Sequence, residues 1–188
     1  MNTVLVIVGS TRPGSLNHAL ARAVVARFAR LRAVGVEVDL RELPFYTPDL
    51  DQDPRPVAVE LLLEEIRSAD SVLWATPEYN AALPALMKNV TEWVQRAGDE
   101  SGMTAKPTAA ISASSSRFGG TRAREMMQQA LMRMGGGVIG TPVVAIGNAH
   151  TAMAADGTMR LPRSLETAAE ELEDLLLAGI RERDAVGG

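Results

Sequence analysis

Short apolar runs alternate along this chain with longer segments whose apolar residues recur at helical spacing. The runs lack charged side chains and contain several β-branched residues, which is typical of strands buried on both faces of a sheet. The runs cover residues 4–8, 71–76 and 108–112, and the helical segments cover residues 16–31, 57–68, 83–97, 120–134 and 164–182. Strands that alternate with helices predict parallel βαβ units, with helices on both faces of one α/β sheet.

Two further segments have the character of edge strands. Val36, Val38 and Leu40 alternate with charged residues, and the run over residues 138–146 contains Pro142, which cannot donate a ladder hydrogen bond. The three uninterrupted apolar strands therefore belong in the middle of the sheet. The strand order 2-1-3-4-5 satisfies both conditions and predicts a flavodoxin-like, doubly wound, five-stranded parallel sheet.

The composition excludes several kinds of site. The chain has 188 residues and no cysteine, so we expect one domain over residues 1–188, without disulfides or cysteine-ligated metals. Two histidines, His18 and His150, are too few for a histidine-rich metal site. The net charge of −4 and the aromatic content of 4% are not those of a nucleic-acid-binding surface.

No segment has the features of a targeting signal or a membrane helix. The first apolar run ends at Gly9 and follows no basic residue, which is too short and too uncharged for a signal peptide. The longest stretch without a charged residue, from Met134 to Ala155, contains glycines and a proline. We therefore expect a cytoplasmic protein that has no membrane partner.

The loop after the first strand has the composition of an anion site. In a sheet of this kind, ligands bind beside the carboxyl ends of the strands, near the first and third strands. Residues 9–17 (GSTRPGSLN) carry several hydroxyls and Arg12 just before a helix N-terminus, a donor set that suits a phosphate. The loop is neither a Walker A motif nor G-x-G-x-x-G. The alternative is a capped turn in which Ser15 is the helix N-cap.

Two more loops follow strands at the same edge. Residues 76–84 (TPEYNAALP) hold an aromatic ring, a carboxylate and an amide between two prolines, a surface on which a planar heterocycle could lie. Residues 112–122 (SASSSRFGGTR) hold several serines and two adjacent glycines, which permit unusual backbone angles. Each of these loops alone is also consistent with a plain connection.

Together the three loops carry a family resemblance. The segment GSTRPGSLN followed by TPEYN-x₃-P-x₃-KN-x₃-W, and later KP-x₄-S-x-S-x₂-RFGG, resembles the NAD(P)H-dependent FMN reductase family. That family includes flavodoxin-like quinone, chromate and azo-dye reductases. The resemblance spans residues 4 to about 134 and depends on the pairing of the first two motifs.

The resemblance implies an FMN site and a set of contact residues. It implies that Ser10, Arg12, Ser15, Leu16 and Asn17 hold the FMN phosphate. It implies that Pro77, Glu78, Tyr79 and Asn80 line the isoalloxazine, largely through backbone groups, and that Ser112 and Ser114 close its other edge. Many relatives have glycine where Ser114 to Ser116 stand, which leaves open which serine contacts the ring.

The resemblance also implies substrates and an assembly. NADPH or NADH would be the electron donor, and quinones, FMN, chromate or azo compounds would be the small-molecule acceptors. Similar proteins are homodimers or homotetramers, and the methionine-rich helix with Met126, Met127, Met132 and Met134 could serve an interface or simply fill the core.

Two other functions stay open from the sequence. One is a flavodoxin-type electron carrier with protein partners, which the modest net charge of −4 disfavours. The other is a non-catalytic nucleotide- or phosphate-binding module. For an FMN reductase we predict no catalytic side chain: His18 is expected to be a hydrogen-bonding or packing residue, and His150 to lie in a solvated loop.

Overall fold

The computed structural model describes residues 1–35 and 39–187. Strands and helices alternate along this part of the chain, as the sequence pattern predicts. The strands are β1 (Thr3–Val8), β2 (Arg32–Gly35), β3 (Ser71–Thr76), β4 (Pro107–Ala113), β5 (Gly137–Val138) and β6 (Ala145–Ile146). The helices are α1 (Leu16–Val25), α2 (Val57–Ser68), α3 (Ala85–Arg96), α4 (Thr121–Arg133) and α5 (Arg163–Gly187). None of these helices is both long and apolar enough to span a bilayer.

The strands form one parallel sheet in the order β2-β1-β3-β4-β5, and β6 also pairs with β4. Val8 of β1 lies beside Ala75 of β3, and Thr76 lies beside Ser112 of β4. The carboxyl ends of β1, β3 and β4 therefore lie side by side along the same edge of the sheet, the edge formed by the ends of the strands. The predicted parallel sheet and its strand order are confirmed.

A hydrophobic cluster lies on each face of the sheet. Val4 and Val8 of β1 pack with α1 and α5, whereas Leu5 and Ile7 pack with α2, α3 and α4. This alternation follows from the two-residue period of a strand, and because both faces are covered, most residues of the central strands are apolar. Helices on both faces of the sheet are thus confirmed.

The second strand begins earlier than its apolar alternation predicts. The pattern places it from Val36 to Leu40, whereas β2 is observed over Arg32–Gly35, and residues 36–38 lie outside the described residues. Leu40 is buried in the turn that follows. As an edge strand, β2 pairs only with β1 and is largely exposed, so backbone pairing decides its position more than side-chain burial does.

The first helix is shorter than its apolar pattern predicts. It ends at Val25, so Phe28 and Leu31 lie beyond it in the connection to β2. The Glu173 carboxylate of α5 accepts hydrogen bonds from the backbone N–H groups of Arg30 (2.6 Å) and Leu31 (2.8 Å). A partner this distant in the chain holds the connection in a non-helical form that local periodicity cannot reveal.

The predicted fifth strand is two short strands. Residues 137–138 and 145–146 pair with opposite ends of β4, and the segment between them contains Pro142. Because proline has no N–H to donate, the ladder is interrupted there, as the sequence suggested.

Candidate functional site

The first loop, between β1 and α1, is fixed at both of its ends. Gly9 lies so close to α3 that a Cβ there would be 2.1 Å from Met87 Cγ, so no larger residue fits without a shift. At the other end, Ser15 Oγ accepts hydrogen bonds from the backbone N–H groups of Asn17 (3.2 Å) and His18 (3.4 Å). Ser15 is therefore the N-cap of α1, as predicted.

The donors of this loop fit a dianionic phosphate. Arg12 is exposed, Ser10 is buried, and the first turn of α1 contains no acidic residue that would oppose an anion.

Nε2 of the exposed His18 lies 2.8 Å from the carbonyl oxygen of Ser10. Since that oxygen only accepts, the nitrogen must carry the proton, and His18 is a hydrogen-bonding residue as predicted.

Asn17 joins the first loop to the end of β4. Its Nδ2 donates to the carbonyl oxygen of Ala113 (3.0 Å), and its Oδ1 accepts from the Ala113 N–H (2.8 Å). The side chain is 2% exposed, so both ends of the amide are used inside the protein. No sequence signal pointed to this link, because its partners are far apart in the chain. Leu16, beside it, is half-buried and packs against the hydrophobic cluster that contains residues of α1 and α5.

The second loop, between β3 and α3, contains a tight turn. Tyr79 and Ala82 exchange backbone hydrogen bonds of 3.1 and 3.0 Å, and both residues between them adopt positive φ, 51° at Asn80 and 61° at Ala81. Left-handed backbone is uncommon for alanine and is held here by the flanking bonds. The turn leaves the Tyr79 side chain 52% exposed, while Pro77 at the base of the loop is buried.

Glu78 links the second loop to the first turn of α4, the helix that follows the third loop. Its Oε2 accepts a hydrogen bond from the backbone N–H of Ala123 (3.2 Å) in the first turn of α4. The residue at the N-cap position of α4 is Gly120, which has no side chain to cap the helix. Glu78 therefore acts as the cap from a neighbouring loop, a role that the sequence did not reveal.

The third loop, between β4 and α4, is supported from within. Ser112 is fully buried and its hydroxyl donates to the carbonyl oxygen of Gly119 (2.7 Å). Ser114 is half-buried, and its Oγ accepts from the backbone N–H of Ser116 (3.1 Å). Behind the loop, a Cβ on Gly147 would be 2.3 Å from the carbonyl oxygen of Arg117, so the two segments pack backbone to backbone.

The predicted site residues all lie on these three loops or in the helix turn that follows the first, at one edge of the sheet. They differ in what they expose. Arg12, Tyr79 and Asn80 are exposed, Leu16, Glu78 and Ser114 are half-buried, and Ser10, Ser15, Asn17, Pro77 and Ser112 are buried. The edge thus offers anion donors at one end and a loop pair able to flank a planar ring at the other. Among residues 1–35 and 39–187, no cluster of three or more histidine, aspartate or glutamate side chains is placed to hold a metal ion.

Comparison with known proteins agrees with this arrangement. The sequence model of the NADPH-dependent FMN reductase family matches residues 2–151. An NAD(P)H-dependent FMN reductase of Pseudomonas aeruginosa is 34% identical over 177 residues, 93% of each chain. A quinone reductase of Escherichia coli is 32% identical over 140 residues, 74% of each chain.

Solved structures show the same fold. FerB, a flavoenzyme NAD(P)H:(acceptor) oxidoreductase from Paracoccus denitrificans, superimposes with a TM-score of 0.78 at 32% identity, covering 96% of each chain. A flavodoxin, WrbA-like protein from Agrobacterium tumefaciens has a TM-score of 0.61 at 16% identity, which shows the flavodoxin-like fold alone. Since the family model covers most of the chain and close relatives match nearly its full length, this protein belongs to the NADPH-dependent FMN reductase family.

Proposed function

We propose that this protein is an FMN-dependent oxidoreductase that passes electrons from NADPH or NADH to quinones and similar small acceptors. The observation that carries the proposal is the juxtaposition of an anion-binding loop and two ring-flanking loops at the carboxyl ends of β1, β3 and β4. Family membership supports FMN as the cofactor and a nicotinamide as the donor. Relatives named as quinone reductases support the acceptor class.

The first loop would hold the FMN phosphate through Ser10, Arg12, Ser15, Leu16 and Asn17. Ser15 Oγ already accepts two backbone N–H groups, so its own O–H is left to donate. Arg12 would supply the positive charge. The Asn17 side-chain amide is hydrogen-bonded to the Ala113 backbone. We therefore assign Asn17 to positioning the loop and not to a side-chain contact with the phosphate.

The second and third loops would flank the ring through Pro77, Glu78, Tyr79, Asn80, Ser112 and Ser114. Between the two serines we favour Ser114 for a side-chain contact, because it is half-buried, whereas Ser112 is fully buried and its hydroxyl donates to Gly119. When bound, FMN would supply the redox chemistry that carries the two electrons of a nicotinamide hydride to the acceptor, with protons exchanged with water. The task of the loops is to align the two rings at reacting distance.

Spectroscopy and anaerobic titration test the proposal directly. The purified protein should be yellow with FMN in about stoichiometric amount, NADPH or NADH should bleach it in the absence of air, and benzoquinone should restore the colour. A colourless protein with no affinity for FMN would contradict the proposal. A yellow protein that is reduced only by a protein partner would indicate an electron carrier instead.

We further propose that residues 1–188 form a single domain that works in the cytoplasm, where NAD(P)H is available, as a homodimer or homotetramer. Met127 and Met134 of the methionine-rich helix fill the core, whereas Met126 and Met132 are 42% and 58% exposed and could join subunits. Light scattering coupled to size-exclusion chromatography would give the subunit number. A monomer at micromolar concentration would contradict the assembly.

A further inference from the structure

A cavity of about 470 Å³ lies beside the first loop, on the β2 side of β1. Because β3 and β4 are on the other side of β1, the cavity is separate from the two ring-flanking loops. Ser10 and Thr11 line it, so it adjoins the anion-binding loop. Its volume is in the range of small-molecule sites.

The floor of the cavity is apolar and is only partly covered by the described residues. Val6 lies in the middle of β1, a strand paired on both sides, yet it is half-buried, whereas Val4 and Val8 on the same face are 0% and 8% exposed. Val25 at the end of α1 and Val34 of β2 are half-buried beside it. Valine side chains left open to a concave surface favour a flat apolar ligand.

The rim of the cavity is positively charged. Arg41 is paired with Asp39, whose carboxyl pKa falls to about 2 because the Arg41 side chain and backbone N–H bond to it, so these two charges cancel. Arg22 of α1 is exposed, and among residues 1–35 and 39–187 no acidic side chain forms an ion pair with it. His18 also lines the rim, one helical turn before Arg22. An anionic group is thus favoured at Arg22.

The chemistry of the cavity selects one of the two proposed substrates. An unsubstituted quinone such as benzoquinone has no anionic group, and it places its single ring at the flavin site. A nicotinamide dinucleotide carries a second flat ring, adenine, far from its reacting ring, and NADPH adds a 2′-phosphate beside that adenine. We propose that the cavity binds the adenosine end of the donor and that Arg22 contacts the 2′-phosphate, so that the enzyme prefers NADPH to NADH. The inference rests on the proposed function.

Replacing Arg22 tests the phosphate contact. In the holoenzyme with benzoquinone as acceptor, Arg22→Gln should raise KM for NADPH by about tenfold or more, the effect of losing one charge-assisted hydrogen bond. KM for NADH and both kcat values should stay within about twofold. Arg32→Gln is the matched control, since Arg32 is an exposed arginine of β2 that does not line the cavity.

A second variant tests the adenine position. Val25→Phe fills the floor and should raise KM for NADPH and NADH alike while FMN content is unchanged. A binding measurement without turnover completes the test: calorimetry should show that the parent binds 2′,5′-ADP at least about tenfold more tightly than 5′-AMP and that Arg22→Gln removes the difference.

The outcomes separate this inference from the proposed function. If the parent oxidises both donors but Arg22→Gln keeps the same NADPH preference, or Val25→Phe leaves both KM values unchanged, the cavity assignment is wrong and the function stands. If the parent binds 2′,5′-ADP through Arg22 but reduces no acceptor, the cavity assignment stands and the proposed function is wrong.

Discussion

At the scale of single residues, what matters around the site is which polar groups are already bonded inside the protein. The Asn17 amide and the Ser112 hydroxyl are buried and hydrogen-bonded to backbone groups, so each holds its loop in place. Arg12 lies exposed at the loop that precedes α1, and its guanidinium is suited to two hydrogen bonds with one phosphate. Polar groups already bonded inside the protein thus shape the loops, and we expect the exposed Arg12 to be left for the ligand.

Replacing Arg12 should weaken FMN binding without unfolding the protein. Because a hydrogen bond to a charged group contributes about 1.5–3 kcal/mol, Arg12→Ala should raise the Kd for FMN by roughly tenfold to a hundredfold. Fluorescence titration of the apoprotein measures the affinity, and circular dichroism should be unchanged because Arg12 is exposed. An unaltered Kd would mean that the phosphate binds elsewhere.

Neither histidine should be needed for the chemistry. His18 donates to a backbone carbonyl, and His150 is exposed in a short 3₁₀ turn. The double variant His18→Gln/His150→Gln should keep kcat for a quinone within about tenfold, whereas loss of general acid–base catalysis typically costs about 10²–10⁴. A hundredfold fall in kcat with FMN still bound would identify a histidine that delivers protons.

Glu173 should make the stability depend on acidic pH. Burial alone would raise the pKa of this carboxyl, but hydrogen bonds from backbone N–H groups at Arg30 and Leu31 and from the Arg30 side chain leave the pKa lowered. A carboxyl whose pKa is lower in the folded than in the unfolded state stabilises the fold above its unfolded pKa, and that contribution is lost as pH falls.

Urea unfolding of Glu173→Gln measures this contribution. At neutral pH the variant should be less stable than the parent by about 1–3 kcal/mol. The neutral amide oxygen of glutamine accepts the hydrogen bonds from Arg30 and Leu31 more weakly than the glutamate carboxylate does. The difference should shrink as pH falls below the ordinary pKa of a glutamate and through the lowered pKa of Glu173. Glu170→Gln is the control, since Glu170 is an exposed residue of the same helix that pairs only with Arg27 in the described ion pairs. A difference independent of pH would contradict the ionised role of Glu173.

At the scale of elements, local pattern predicts best where burial on the sheet faces decides the structure. The third strand, SVLWAT, is observed with its predicted bounds, and α2 covers the predicted residues 57–68. Prediction fails where a distant partner decides: α1 stops early beside Glu173, and β2 is placed by pairing with β1. Such partners leave no mark in a local window of sequence.

Removing the cap that Glu78 provides should loosen both α4 and the ring-flanking loops. Glu78→Ala should destabilise the protein by about 1 kcal/mol, the usual cost of losing a helix N-cap, and weaken FMN binding several-fold. Glu78→Gln keeps an acceptor oxygen and should lose less. Glu125→Ala, which removes an exposed acidic side chain of α4, is the control. Thermal unfolding and FMN titration measure both effects, and equal behaviour of the Ala and Gln variants would exclude capping by the Glu78 side chain.

At the scale of the whole molecule, parallel topology gathers the site. Sequence reasoning could place the predicted residues at one edge because β1, β3 and β4 all end there. It could not tell that Asn17 and Glu78 serve as links between neighbouring elements, because each pairs with a backbone group distant in the chain. We expect donor and acceptor to reach the FMN ring by the same approach, between the second and third loops.

That shared approach predicts the kinetic order. If the nicotinamide ring and the quinone both enter between the loops that carry Tyr79 and Ser114, they cannot be bound together, and the oxidised nicotinamide must leave before the quinone enters. Double-reciprocal plots of rate against NADPH concentration, at several fixed quinone concentrations, should therefore be parallel, the ping-pong pattern. The quinone should also inhibit competitively against NADPH at high concentration, because each occupies the opening that the other needs. Intersecting lines, together with trapping of labelled NADPH in a ternary complex, would show instead that donor and acceptor occupy separate positions.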